Sequence, residues 1–137
     1  MGFLDTVKTL EVEDGLRMLF PNKRTGILGG TFNPIHNGHI DMALKVKREF
    51  VLDKVILLPS GNPPHKREGA QLAPKQKRMH MAALCAFENE GLEASDAEVK
   101  REGYTYTVDT MRELTAKEPD TDFYYIIGSD ALFELET

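Results

Sequence analysis

Runs of apolar residues alternate with stretches of helical periodicity along most of this chain. Residues 55–58 and 123–127 combine β-branched, aromatic and other apolar side chains, a composition typical of buried strands. A shorter run at 26–28 ends in two glycines, and 92–99 has a weaker strand pattern. Helical spacing of apolar residues appears around 38–50, 79–87 and 107–114. Apolar strands that alternate with helices predict an α/β fold, a Rossmann-like doubly wound parallel sheet with helices on both faces.

The second of these helices has the clearest periodicity. Its apolar residues fall at positions i, i+3, i+4, i+7 and i+8, which predicts one buried face. They are Met79, Ala82, Ala83, Ala86 and Phe87. In the third helix, Thr107 precedes the periodic residues, and we expect its hydroxyl to cap the helix.

Residues 1–24 form a separate amphipathic stretch ahead of the first predicted strand. Apolar residues recur there at helical spacing from Phe3 to Phe20, and Pro21-Asn22 interrupts the pattern. We therefore divide the chain into an N-terminal helical extension over 1–24 and one domain over 25–137, a size that fits a single domain.

The composition narrows the classes of function. With 17 basic against 22 acidic residues the net charge is −5, which argues against nucleic acid as the partner but is compatible with a small anionic ligand. No run of apolar residues is long enough to span a membrane, and the acidic beginning lacks the apolar core of a signal peptide. The single Cys85 excludes an intrachain disulfide and suits a reducing cytoplasm, where we expect the protein.

Residues of unusual chemistry follow directly after predicted strands, at 29–39, 59–67 and 128–130. Parallel sheets bind ligands beyond the carboxyl ends of their strands, so these segments mark the candidate site. In the first segment two glycines are followed by His36 and His39 at the predicted start of a helix. Free backbone N–H groups and the helix dipole favour an anion there, and two imidazoles can add hydrogen bonds to phosphate oxygens.

Two other interpretations of this segment stay open. It can be a glycine turn that carries two surface histidines. It can also be a pair of zinc ligands, although no cysteine or carboxylate nearby completes a zinc pattern. Neither the Walker pattern nor Gly-x-Gly-x-x-Gly is present.

Four segments, at 29–39, 59–66, 104–110 and 126–130, resemble one known family in their order along the chain. The first contains the His-x-Gly-His signature of a nucleotidyltransferase superfamily, and together the four are similar to bacterial nicotinate mononucleotide adenylyltransferases. The resemblance implies transfer of an adenylyl group from ATP to nicotinate mononucleotide, which gives nicotinate adenine dinucleotide and pyrophosphate in NAD biosynthesis. It also implies Mg²⁺, which arrives with ATP. The alternatives are a related nucleotidyltransferase with another phosphorylated acceptor, and a nucleotide-binding remnant with little turnover.

The resemblance also implies roles for individual residues. His36 and His39 match the catalytic histidines, which bind the triphosphate and stabilise charge as the α-phosphorus is attacked. The residues implied to bind the ATP phosphates are Gly29, Gly30, Thr31, Phe32 and Lys66. Those implied beside the adenosine are Gly128 and Asp130, and those implied beside the nicotinate are Thr105 and Tyr106.

Several of these residues have plainer interpretations. Lys66 can be an ordinary solvated lysine, and Asp130 can be a helix N-cap. Thr105 and Tyr106 can instead be residues that cap a helix and pack in the core. Arg78 either reaches the site from the start of its helix or is solvated.

The chain also departs from the family at both ends. Residues 1–24 are additional, and a second phosphate motif, Ser/Thr-rich and ending in Arg or Lys, has no counterpart after 128–130. We therefore expect a C-terminally incomplete domain in which the strand at 123–127 presents an unpaired apolar edge. Self-association through that edge, which makes a homo-oligomer, or coverage by residues 1–24 would protect it.

Overall fold

A computed structural model describes residues 22–61 and 72–127, and within them four strands form one parallel sheet. The elements are β1 (Lys23–Gly30), α1 (Asn37–Glu49), β2 (Lys54–Pro59), α2 (Lys75–Glu88), β3 (Leu92–Ala94), α3 (Thr107–Lys117) and β4 (Thr121–Ile126). The strand order is β3-β2-β1-β4, with β1 and β2 in the centre, and every pairing is parallel. The sequence prediction of an α/β fold with a parallel sheet is confirmed.

Alternating side chains of the two central strands build a separate core on each face of the sheet. On one face, Leu28 and Leu57 pack with α1 and α2. On the other face, Ile27 and Ile56 pack with Leu114 of α3. Because successive strand residues point to opposite faces, the fully apolar strands of the sequence require helices on both sides, as predicted.

The third strand is shorter than the sequence pattern suggests. β3 ends at Ala94 rather than continuing to residue 99, after its last ladder bond, from Ser95 N–H to the Leu57 carbonyl. The Ser95 hydroxyl then accepts a hydrogen bond from Ala97 N–H and begins a turn. Ala97 and Val99 are therefore buried in a turn and not in a strand.

Helix α2 buries a narrower face than its periodicity predicts. Ala82 is buried, but Ala83 is exposed and the Phe87 side chain is 90% exposed, so the prediction of Phe87 in the core is wrong. The buried stripe consists instead of Arg78 and Ala82, with the half-buried Cys85 beside it, and it packs against β2 and β3. Helical periodicity gives two overlapping apolar faces in this segment, and contact with the sheet selects one of them.

Strand β4 lies at an edge of the described sheet and pairs only with β1 there. The sequence predicts a strongly buried strand, yet Tyr124, Tyr125 and Ile127 are each more than a third exposed. Among the described residues, β4 has a neighbouring strand on one flank only. Self-association through this edge stays a prediction, which sedimentation of the full chain tests.

The predicted extension over 1–24 falls almost entirely outside the described residues. β1 begins at Lys23, two residues before the predicted start of the domain, and the division at 24/25 stays a prediction. None of the helices in the described ranges is long and apolar enough to cross a membrane.

Candidate active site

The loops that follow β1 and β2 meet at the carboxyl edge of the sheet. The register pairs Gly30 with Pro59, and Ser60 N–H donates to the Gly30 carbonyl over 2.9 Å. The predicted convergence of these two segments is therefore confirmed for residues 29–39 and 59–61. In α/β sheets this edge is where ligands bind.

His36 and His39 lie together at the N-terminus of α1. His36 is the N-cap, and its Nδ1 accepts from Gly38 N–H, while Nδ1 of His39 accepts from His36 N–H, each over 3.1 Å. The ring centroids are 3.9 Å apart. Because Nδ1 accepts in both rings, the proton of each neutral imidazole is on Nε2, which makes Nε2–H the donor available to an anion.

Phe32 supports His39 from the core side of the turn. Its side chain is buried, and its ring meets the His39 ring edge-on at a centroid distance of 4.9 Å. The Phe32 backbone is left-handed, with φ of 50°, a conformation that costs a non-glycine residue about 1–3 kcal/mol and needs surrounding contacts to hold it. The predicted role of Phe32 at the phosphates can therefore come only from its backbone.

Tyr125 is a residue of this edge that the sequence interpretation missed. Its hydroxyl lies so close to Gly29 that an alanine Cβ there would be 2.5 Å away. Burial raises the pKa of Tyr125, a hydrogen bond with the Thr107 side chain lowers it, and the Glu98 carboxylate raises it again. Gly29 is thus required for close packing against Tyr125. An apolar strand pattern carries no signal for such a contact.

Thr105 and Tyr106 lie in the segment that leads into α3. Thr105 is 4% exposed and its Cγ2 lies against Gly61, so the structure brings it to the loop after β2. Tyr106 is exposed and is the N-cap of α3 through its backbone. Thr107 is the first helical residue instead of the cap, so the prediction of a Thr107 cap is wrong.

A polar network fixes this segment to the turn after β3. Arg101 donates to the Thr110 hydroxyl over 2.7 Å and to the Glu113 carboxylate over 2.6 Å. The Thr110 hydroxyl in turn donates to the buried Glu98 carboxylate over 3.0 Å. The start of α3 therefore has a rigid support behind it.

Arg78 is buried behind the loops of the carboxyl edge. Its side chain is 2% exposed and donates to four backbone carbonyls, those of Ala73, Thr31, Ser60 and Gly61. Burial lowers the pKa of the guanidinium. Of the two sequence interpretations of Arg78, the solvated one is wrong, while the other is confirmed in that the side chain reaches the loops of this edge from the first turn of α2. Its spacing from Ala82 on one helix face is the signal that could have placed it inside.

Three predicted site residues, Lys66, Gly128 and Asp130, lie outside the described residues, and their roles stay predictions. Within the described ranges, no group of three or more His, Cys, Asp or Glu side chains is placed to hold a metal ion. A divalent ion that accompanies a nucleotide is held largely by phosphates and water.

Residues 27–137 match the cytidylyltransferase-like family, which is most of the chain. The chain belongs to this family. A probable nicotinate-nucleotide adenylyltransferase of Desulfitobacterium hafniense (strain Y51) is 45% identical over 117 residues, 85% of this chain and 56% of the relative. Another, of Synechococcus sp. (strain JA-3-3Ab), is 47% identical over 113 residues, 82% of this chain and 54% of the relative. The cytidylyltransferase-like chain thus spans about half the length of the curated relatives it matches.

Solved structures share the fold of this cytidylyltransferase-like chain. The nicotinic acid mononucleotide adenylyltransferase of Plasmodium falciparum, complexed with NaAD, aligns with a TM-score of 0.71 at 20% sequence identity. The alignment covers 84% of this chain and 56% of that chain. The same enzyme complexed with APC aligns with a TM-score of 0.65. The Rossmann-like fold predicted from the sequence is confirmed.

In this cytidylyltransferase-like chain we expect the pKa of His39 to lie below the ordinary histidine value of 6.5. Burial, and next the neighbouring His36, lower its pKa. A base whose pKa is lower folded than unfolded binds its proton less tightly in the folded state. The contribution of neutral His39 to the free energy of unfolding is therefore fully present above about pH 6.5. It is lost as the pH falls from there through the pKa of His39 in the folded state. NMR titration of the His39 ring measures this pKa, and a value at or above 6.5 contradicts the prediction.

The variant His36→Asn provides the control for that titration. Asparagine keeps a capping side chain at this position but removes the neighbouring imidazole. The pKa of His39 should then rise without reaching 6.5, because burial is the larger cause and remains.

Proposed function

We propose that the chain contributes the catalytic histidines of an adenylyltransferase that joins ATP and nicotinate mononucleotide and releases pyrophosphate. The observation that carries the proposal is the pair of imidazoles at the N-terminus of α1, with Nδ1 of both rings engaged by backbone N–H groups. Because the Gly38 and His39 N–H groups are already paired within the cap, the arrangement offers an anion the two Nε2–H donors and the positive end of the α1 dipole. The names of the curated relatives support the same reaction.

In this reaction a phosphate oxygen of the acceptor attacks the α-phosphorus of ATP. The new P–O bond forms as the bond to the β-phosphate oxygen breaks, and the electron pair leaves with pyrophosphate. The nucleophile is already an anion, so the protein needs to hold two anions in line and to stabilise the charge that develops. His36 and His39 do this from Nε2. Bound Mg²⁺ would neutralise part of the triphosphate charge.

Other residues complete the proposed site by resemblance. Thr105 and Tyr106 hold the nicotinate side, and the packing of Thr105 against Gly61 supports a position for the acceptor beside the loop after β2. Lys66 binds phosphate, and Gly128 and Asp130 lie beside the adenosine. We also propose that the protein works in the cytoplasm, which its single cysteine supports.

A turnover assay of this chain with ATP and Mg²⁺ tests the proposal. Nicotinate mononucleotide, nicotinamide mononucleotide, phosphopantetheine and cytidine nucleotides are offered separately, and pyrophosphate release is measured. We expect the highest kcat/KM with nicotinate mononucleotide. A preference for phosphopantetheine or a cytidine nucleotide would establish the alternative acceptor.

Calorimetric titration with ATP on the same sample separates the enzyme from a remnant. Binding without pyrophosphate release from any acceptor is the result that the remnant alternative predicts. Absence of both binding and release would overturn the proposed function.

A further inference from the structure

Arg78 connects three segments of the carboxyl edge through one buried side chain. Nε donates to the Ala73 carbonyl over 2.9 Å, and Nη2 donates to Gly61 over 3.1 Å. Nη1 donates to Thr31 over 2.8 Å and to Ser60 over 2.6 Å. Four N–H groups in the fixed plane of one guanidinium therefore set the relative positions of the histidine turn (residues 31–36), the loop after β2 and the residues that lead into α2.

The contact with Thr31 leads directly to His39. The Thr31 carbonyl belongs to the peptide unit that also contains Phe32 N–H, and rotation about the next bond gives Phe32 its left-handed φ of 50°. Fixing this peptide holds Phe32 in its strained conformation. The Phe32 ring then packs edge-on against the His39 imidazole. Arg78 does not touch His39, but it is connected to the position of the His39 ring through Thr31 and Phe32.

A second contact fixes the same turn from outside. The Asn33 side-chain carbonyl accepts from Ala73 N–H over 2.9 Å, and Arg78 Nε donates to the carbonyl of the same alanine. On the other flank, Gly61 packs against the Glu98 carbonyl and Thr105. Arg78 therefore links the histidine turn to the wall on which the acceptor side is proposed.

We infer that Arg78 is a positioning residue of the proposed active site, which sets the spacing between the phosphate-binding histidines and the proposed acceptor side at Gly61 and Thr105. The inference rests on the proposed function for its effect on substrate, but the geometry that it controls is measurable without substrate. Arg78 itself binds backbone and takes no part in the chemistry.

The variant Arg78→Lys tests the inference, because lysine keeps the charge but has three donors on one atom and cannot reach four carbonyls. We expect three changes at a temperature where the variant is fully folded. The ring resonances of His39 shift, the affinity for ATP falls at least tenfold, and kcat falls more than KM rises. A merely structural role would lower the melting temperature and leave these properties unchanged in the folded protein.

Two variants provide matched controls. Arg48→Lys makes the same exchange at an exposed position near the far end of α1. Leu92→Ala lowers stability from the first residue of β3, away from the carboxyl edge. Neither should move the His39 resonances or the affinity for ATP. If Arg78→Lys behaves like Leu92→Ala, with a lower melting temperature alone, the inference is wrong.

If Arg78→Lys does not fold, the inference is tested on the unmodified chain instead. Its Arg78 Nε–H should exchange slowly with solvent and should shift when ATP is added. Exchange as fast as that of Arg48, with no shift at saturating ATP, overturns the inference. If the unmodified chain binds no ATP, the proposed function fails, while the His39 resonances of Arg78→Lys still decide the positioning role.

Discussion

Replacing His39 with alanine is expected to lower turnover by about 10²–10³-fold, or about 2.7–4 kcal/mol in the barrier, as at comparable sites that lose one charge-stabilising donor. The loss should fall on kcat more than on KM, because the Nε2–H contact strengthens as charge develops on the phosphates. Steady-state kinetics with ATP and nicotinate mononucleotide measures both constants. A variant within about threefold of the parent would show that His39 is only a surface residue.

The variant also removes a structural contact, so a control is needed. The Nδ1 of His39 accepts from His36 N–H in the capping box of α1, and loss of a cap costs about 1 kcal/mol of stability. Assays therefore belong well below the melting temperature of the variant. His80→Ala, on the exposed side of α2, removes an imidazole that has no place in the site and should leave kcat unchanged.

The second large effect is expected from Gly29→Ala. The added Cβ would lie 2.5 Å from the Tyr125 hydroxyl and 3.2 Å from the ring carbon that carries it. Either the edge strand or the histidine turn must move, and overpacking of this kind costs about 1–3 kcal/mol. We expect a lower melting temperature together with weaker ATP binding, measured by thermal unfolding and calorimetric titration.

The double variant Gly29→Ala/Tyr125→Phe separates this contact from a general effect of alanine. Removing the Tyr125 hydroxyl removes the 2.5 Å contact with the added Cβ but keeps the 3.2 Å contact with the ring carbon. Part of the lost stability and of the lost ATP affinity should therefore be recovered. Tyr125→Phe alone removes the hydrogen bond with Thr107 and should destabilise slightly. Strictly additive effects of the two substitutions would contradict the proposed contact, since residues that touch are expected to couple.

Features that depend on neighbours along the chain were predictable from the sequence. The apolar run at 55–58 became β2, the periodic stretch at 79–87 became α2, and the glycines and histidines of 29–39 form the turn and the start of α1. Strand alternation also predicted the convergence of the chemistry-bearing loops, which is confirmed for those that follow β1 and β2. In these segments the local structure follows from the spacing of apolar side chains along the chain and from the backbone conformations that the turn residues adopt.

Features that depend on partners distant in the sequence could not be predicted from local patterns. The parallel sheet, the helix on which Arg78 lies and the histidine pair at a helix start all follow from the order of the residues. The sequence did not determine that Arg78 is buried, because that depends on carbonyls supplied by Thr31, Ser60 and Gly61 from separate loops. Nor did it determine that Phe87 is exposed, because the sheet accepts only one of two apolar helix faces. A buried cation is tolerable only where folding brings such acceptors together, and no local pattern records them.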